Sequence, residues 1–240
     1  MLDFNRAVLS DAPISLAINA LIERAEPPEE NRREYLGASI IGSDCLRKIQ
    51  YDWMVNSGHL SQTRDIFRRG HLLEELSRQH FIRAGFKFVP NERLAFSAAS
   101  GLFRGHADGI IDEGPVLPGV GYPCVWEHKA LGAKGWRNLE RDGIERVYPQ
   151  YAAQIWIYQA YLNVAEQPAI FTAFNANTCE RLHMLVPFNA EQAQAWSDRA
   201  VRGRSGALLW ATTSVGRTKP ITAEAAPIWR RTSRRSAKWA

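Results

Sequence analysis

The chain has 240 residues, 45% of them hydrophobic and eight of them tryptophan, which is enough apolar material for one sizeable core and argues against disorder. Its net charge of +5 and pI near 9.3 give a moderately basic surface, suited either to a polyanion or simply to solvent. No stretch approaches the roughly 18 uncharged apolar residues of a membrane-spanning helix. The N-terminus lacks the layout of a secretory signal, and Cys45, Cys124 and Cys179 are too scattered for disulfides, zinc or an iron–sulfur cluster, so a cytoplasmic protein is expected.

Residues 1–36 read as an appendage, in which the helical stretch ISLAINALIERA is broken by the prolines of a charged linker, EPPEENRREY. In LGASIIGSDCLRKIQYDWM, Ser39 or Ser43 can cap a helix with Cys45, Ile49 and Trp53 on its apolar face. RDIFRRGHLLEELSRQHFIRAGF puts Leu72, Leu73, Leu76 and Phe81 on one helical stripe, with Gly85 at the stop. After Gly85 the period shortens. FKFVPNERLAF, GLFRGHADGIID and PCVWEHKAL read as three strands of a meander. VYPQYAAQIWIYQAYLNV is helical from Pro149, a residue suited to a first turn. PAIFTAFNA and ERLHMLVPF read as two more strands, and NAEQAQAWSDRAVRGRSGALLWATT as a closing helix. This order predicts an α/β fold with a mixed central β-sheet flanked by helices, spanning 37–213 and followed by a basic tail over 214–240.

VWEHKAL, residues 125–131, sets an acid and a lysine inside an apolar strand, where ions that leave water must be paired or coordinated. Glu127 and Lys129 are two apart and share one face, while Trp126 and His128 share the other. If the preceding strand is an antiparallel neighbour, Asp108 lies beside Glu127. Two carboxylates at close range repel unless a cation sits between them, and a hard divalent cation held by oxygen ligands resolves the repulsion. Lys129, uncoordinated while charged, can steady an attacking water or offset charge growing on a phosphate. An acid pair and a lysine around a metal suit phosphodiester hydrolysis.

Asp108 with Glu127-His128-Lys129 resembles the PD-(D/E)xK nuclease superfamily, and further motifs resemble its RecB-like and lambda-type phage exonuclease group, relatives of the CRISPR-associated adaptation nucleases. The leading proline is replaced by Ala107. In RRGHLLEEL, Glu74 stands four residues after Gly70, and QIWIY resembles the group's Q-x-x-x-Y motif, with Gln150, Gln154 and Tyr158 on one helical face. The resemblance implies a restriction-endonuclease-like core, Mg²⁺ or Mn²⁺ as cofactor, and metal held by Glu74, Asp108, Glu127 and the backbone of His128, with Glu74 ahead of Glu75 and His71. Lys129 would be catalytic, and Gln154 and Tyr158 would brace the site or touch the DNA backbone. It also implies DNA as substrate, a phage recombination or single-strand-binding protein as partner, and a bacterial host cytoplasm. Iron–sulfur members carry one cysteine before the core and three after it. Here no cysteine follows Phe188, so Cys45 is read as a core residue.

Around the site, Trp136, Tyr148, Tyr151 and Trp156 are candidates to stack on unpaired bases, with Trp136 in the GAKGW loop foremost. Lys134, Arg137 and Arg141 are candidate phosphate contacts. His106 is placed on one strand face with Asp108. Simpler readings stand beside these: Glu127 and Lys129 as a structural ion pair, Asp108 as a turn residue before Gly109, and the aromatics as ordinary core. An exonuclease is favoured over a sequence- or structure-specific endonuclease, over a noncatalytic DNA-binding protein that keeps the fold, and over a glycosidase-type carboxylate pair, which leaves Lys129 unexplained.

Overall fold

A computed structural model describes residues 13–25, 35–43, 45, 47–49 and 61–214. In chain order they form α1 (Pro13–Ala25), β1 (Leu36–Gly37), α2 (Ser61–Arg83), β2 (Lys87–Phe88), β3 (Ala95–Ala98), β4 (Phe103–His106), β5 (Gly109–Glu113), β6 (Cys124–Leu131), α3 (Ala133–Asp142), α4 (Ile144–Val147), α5 (Pro149–Tyr161), β7 (Ala169–Asn175), β8 (Arg181–Val186) and α6 (Ala190–Ser214). A five-stranded sheet runs β2-β5-β6-β7-β8, and a smaller one runs β1-β4-β3. In the larger sheet only β6 and β7 are parallel, paired from Trp126 opposite Ile170 to Leu131 opposite Asn175. Their connection carries α3, α4 and α5, as a parallel crossover requires. The mixed sheet flanked by helices is the architecture expected from the element order.

β6 is buried on both faces, and its alternation sorts two cores. Val125 and Leu131 join the larger apolar cluster with Ile155, Ile157 and Tyr158 of α5. Cys124 and Trp126 face the other way, with Ile111, Ile170 and the partly buried Phe81, Phe86 and Phe88. A helix is apolar all round where it is buried all round, and Ala152 through Gln159 of α5 are buried without a break.

Four expectations are corrected. GLFRGHADGIID is two strands in two sheets, divided at Ala107-Asp108. Two glycines mark the division. A Cβ on Gly105 would lie 2.4 Å from the Phe96 ring and 2.6 Å from the Tyr158 ring, and one on Gly109 would lie 2.7 Å from the Phe88 ring, so the backbone passes close beneath aromatics on either side. His106, which ends β4, therefore shares no strand with Asp108. Second, FKFVPNERLAF also divides, into β2 and β3 with a 3-10 turn over Asn91–Arg93 between them. Third, only part of the α2 stripe faces the core: Leu72 and Leu76 are exposed, whereas Leu73 is half-buried and Phe81 packs on the smaller core, and the inner side of the helix also carries Ser77. Fourth, Cys45 is exposed, whereas Ile49 one turn later is buried: the Cys45 carbonyl accepts from the Ile49 N–H, while its side chain lies on the outer side of that turn. Trp53 and the basic tail lie outside the described residues.

Candidate active site

The site forms where β5 parts from β6. Gly109 pairs with Trp126, so beyond Trp126 that edge of β6 is no longer covered by β5. The backbone N–H of His128 lies there, and it donates to Asp108 Oδ2 at 2.8 Å. Asp108, just outside β5, is thus pinned to the open edge. Glu127 is fully buried and Lys129 half-buried, and they project together toward α5. Lys129 Nζ donates to Glu127 Oε1 in a short contact and to the His128 carbonyl at 3.1 Å, lies 3.8 Å from Asp108 Oδ2, and sits 5.4 Å from the centre of the Tyr151 ring. Both backbone polar groups of His128 therefore engage site residues, while its ring turns to the other face. There Nε2 is 3.0 Å from Ser77 Oγ, and burial, then the Lys129 charge, depress the imidazole to about 3. The ring is neutral.

Glu74 approaches from α2. Its carboxyl is pushed up to about 7, by burial first and then by the Asp108 charge, with partial relief from His71 and Lys129. His71 Nδ1 is 3.6 Å from Glu74 Oε2, whereas Glu75 points outward and accepts from Gln79. Glu127 is likewise raised, again by burial first and then by Asp108. Burial alone would depress the Lys129 ammonium, but Glu127 and Asp108 overcome it and hold the lysine charged. Three carboxyl groups thus face one ammonium, and like charges so close are relieved by protonation or by further positive charge.

The donors present fit a hard divalent cation. All are oxygens, from Glu74, Asp108, Glu127 and the His128 carbonyl, and the buried Glu127 Oε2 has no hydrogen-bond partner. Among the described residues no three His, Cys, Asp or Glu side chains stand gathered as a metal cage; the Lys129 ammonium occupies the space between Asp108 and Glu127.

α5 braces this arrangement from below. Gln154 Nε2 donates to the Tyr158 hydroxyl at 3.1 Å, and that hydroxyl donates to the His106 carbonyl at 2.8 Å. The bond holds the β4 end of the Ala107-Asp108 junction. Both side chains are buried and do not reach solvent. Gln150, one turn earlier and half-buried, backs onto Gly42, where a Cβ would lie 2.3 Å from its Cα.

The DNA-contact candidates separate. GAKGW is not a loop: it opens α3, which buries Trp136 to 7% exposure within the larger core and removes it as a stacking residue. Trp156 is also buried, its indole N–H donating to the Pro187 carbonyl. Lys134 and Arg137 lie on the exposed side of α3, while Arg141 is engaged by Asp142. Tyr148 and Tyr151 stack on each other, centroids 4.9 Å apart. Sequence reasoning passed over Ser77, although its spacing of three from Glu74 already placed both on one side of the helix.

No family model and no curated protein matches the sequence. Solved structures do. An alkaline exonuclease from Laribacter hongkongensis is 14% identical at a TM-score of 0.50, covering 76% of this chain and 94% of that one. A structure of that exonuclease in complex with dAMP gives 12% identity and a TM-score of 0.52 over the same shares. A phage-related exonuclease from Haemophilus somnus 129PT gives 9% and 0.51, covering 82% of this chain and 99% of that one. At such identities the likeness is one of fold, and the chain shares the fold of these exonucleases.

Proposed function

We propose that the chain is a divalent-metal-dependent deoxyribonuclease, an exonuclease of phage or prophage recombination or repair, with its nuclease domain over 37–213. The observation that carries this reading is the convergence of Asp108, Glu127 and Lys129 at the point where β5 leaves β6, with the orphaned Glu127 Oε2 among them. The exonuclease neighbours support it, and the dAMP found with one of them is the kind of product that stepwise cleavage of DNA releases.

In this reading Asp108, Glu127 and the His128 carbonyl hold Mg²⁺ or Mn²⁺, and Glu74 completes the set directly or through water. Bound there, the cation supplies Lewis-acid polarisation of the phosphate and a more acidic water. Lys129 orients the attacking water and offsets the negative charge that grows on the phosphoryl oxygens. Lys134 and Arg137 contact backbone phosphates. Gln154 and Tyr158 act through the His106 carbonyl, keeping Asp108 in register with β6. A phage recombination or single-strand-binding protein is the partner class that such an activity would serve.

End-labelled linear DNA and closed circular DNA, incubated with Mg²⁺, test this. The expected outcome is degradation of the linear substrate alone, with Lys129→Ala and Asp108→Ala each slowing it about a hundredfold or more. Cleavage of the circle would make the protein an endonuclease. Binding without cleavage in any divalent metal would make it a noncatalytic member, and undiminished cleavage by both variants would sink the assigned site.

A further inference from the structure

α2 carries Glu74 to the site, yet it is held to the sheet along a narrow line. Among its described side chains Ser77 alone is buried, and Leu72 and Leu76 beside it are exposed. C-terminal to Ser77, Arg78 lies over the Phe88 ring at 5.0 Å, and Phe81 is half-buried against Trp126 with ring centroids 5.6 Å apart. N-terminal to Ser77, the side on which Glu74 lies, every described residue of the helix is half-buried or exposed. Close to Glu74 on its C-terminal side stands the hydrogen bond between Ser77 and the His128 ring, 3.0 Å between two buried groups that are 51 residues apart in sequence.

His128 serves both sides of β6. Its N–H holds Asp108 and its carbonyl accepts from Lys129, while its ring is seated between Trp126 and Phe174, with centroids at 5.7 and 6.2 Å. We infer that the Ser77–His128 hydrogen bond is a positioning contact that sets the depth and rotation of α2, so that Glu74, three residues earlier on the same side of the helix, meets the Asp108–Lys129 cluster. The inference rests on the metal-dependent reading of the site. It gives the His128 side chain a role at a distance from the oxygens that would bind the cation. Groups that orient ligands in this way typically change metal affinity by about ten- to a hundredfold when removed.

The test is a Mn²⁺ binding isotherm, followed by electron paramagnetic resonance on the full chain without DNA, for wild type, Ser77→Ala, Glu74→Gln and the double variant. Ser77→Ala is expected to weaken Mn²⁺ binding about tenfold, and to add nothing further in the Glu74→Gln background, because contacts that act through a shared partner are not additive. Ser77→Thr, which keeps the hydroxyl, should restore most of the affinity, and Leu76→Ala, on the exposed side of the same turn, should leave it unchanged. The inference is overturned if Ser77→Ala binds Mn²⁺ as wild type does while Glu74→Gln does not, or if the Ser77→Ala loss persists in full beside Glu74→Gln. If Asp108→Ala also leaves the isotherm unchanged, the metal-site reading itself fails, and that outcome is distinct from the other two.

Discussion

Glu74 and Glu127 share one property: each carboxyl is held above its ordinary range, by burial first and by the Asp108 charge second. An acid whose folded value is raised binds more protons folded than unfolded between the two values, so its contribution to stability falls as pH rises through that window. For Glu74 the window runs from its ordinary 4.5 to about 7. A divalent cation competes with those protons and stabilises only the ionised form. Melting curves with and without Mg²⁺ should therefore show a small metal-induced rise in Tm at pH 5 and a clearly larger one at pH 8, and Glu74→Gln should shrink the difference between the two. An equal rise at both pH values would mean that these carboxyls do not meet the metal. His71 and Lys129 lower the Glu74 value only in part, which is why the window stays open near neutrality.

Among the elements, β4 and α5 hold the chain just before Asp108, whose carboxylate itself accepts from β6. The Tyr158 hydroxyl bonds the His106 carbonyl two residues before Asp108. Tyr158→Phe leaves that carbonyl and Gln154 without their partner, which costs about 1–3 kcal/mol for buried groups. Denaturant unfolding should show that loss, and cleavage should slow as well, through misplacement of Asp108. Full activity at reduced stability would make the bond purely structural. Gly105→Ala presses the same contact from the other side. The new methyl would meet the Phe96 and Tyr158 rings at 2.4 and 2.6 Å, and both rings are buried, so an overpacking cost of about 1–3 kcal/mol is expected and a lowered Tm checks it. α3 has a different role. It buries Trp136 and Leu139 and leaves Lys134 and Arg137 facing solvent, so its inner side is core while its outer side is free for a phosphate backbone.

For the molecule as a whole, a net charge of +5 means that DNA binding should weaken steeply with salt, since each neutralised phosphate releases counterions. In EDTA, where no cleavage occurs, Lys134→Ala and Arg137→Ala should each lower the slope of log affinity against log salt by about one, uniformly across sequences. Trp136→Ala should leave the slope unchanged, because a buried indole touches no phosphate. Among the described residues no helix is long and apolar enough to cross a membrane. Much of the architecture was legible from periodicity, because a strand buried on both faces and a helix buried all round leave uninterrupted apolar runs such as PAIFTAFNA and YAAQIWIYQAY. The spacing of Glu127 and Lys129 put both on one face whatever their neighbours, since side chains alternate along any strand. What the sequence by itself determined was this local order: which residues lie on one face of one element, and in what succession the elements come. The division of GLFRGHADGIID between two sheets, the burial of Trp136 and the place of Ser77 on the inner side of α2 were decided only by tertiary structure. Each depends on which surface a segment packs against: two aromatics over Gly105, the larger core over α3, and the His128 ring under Ser77.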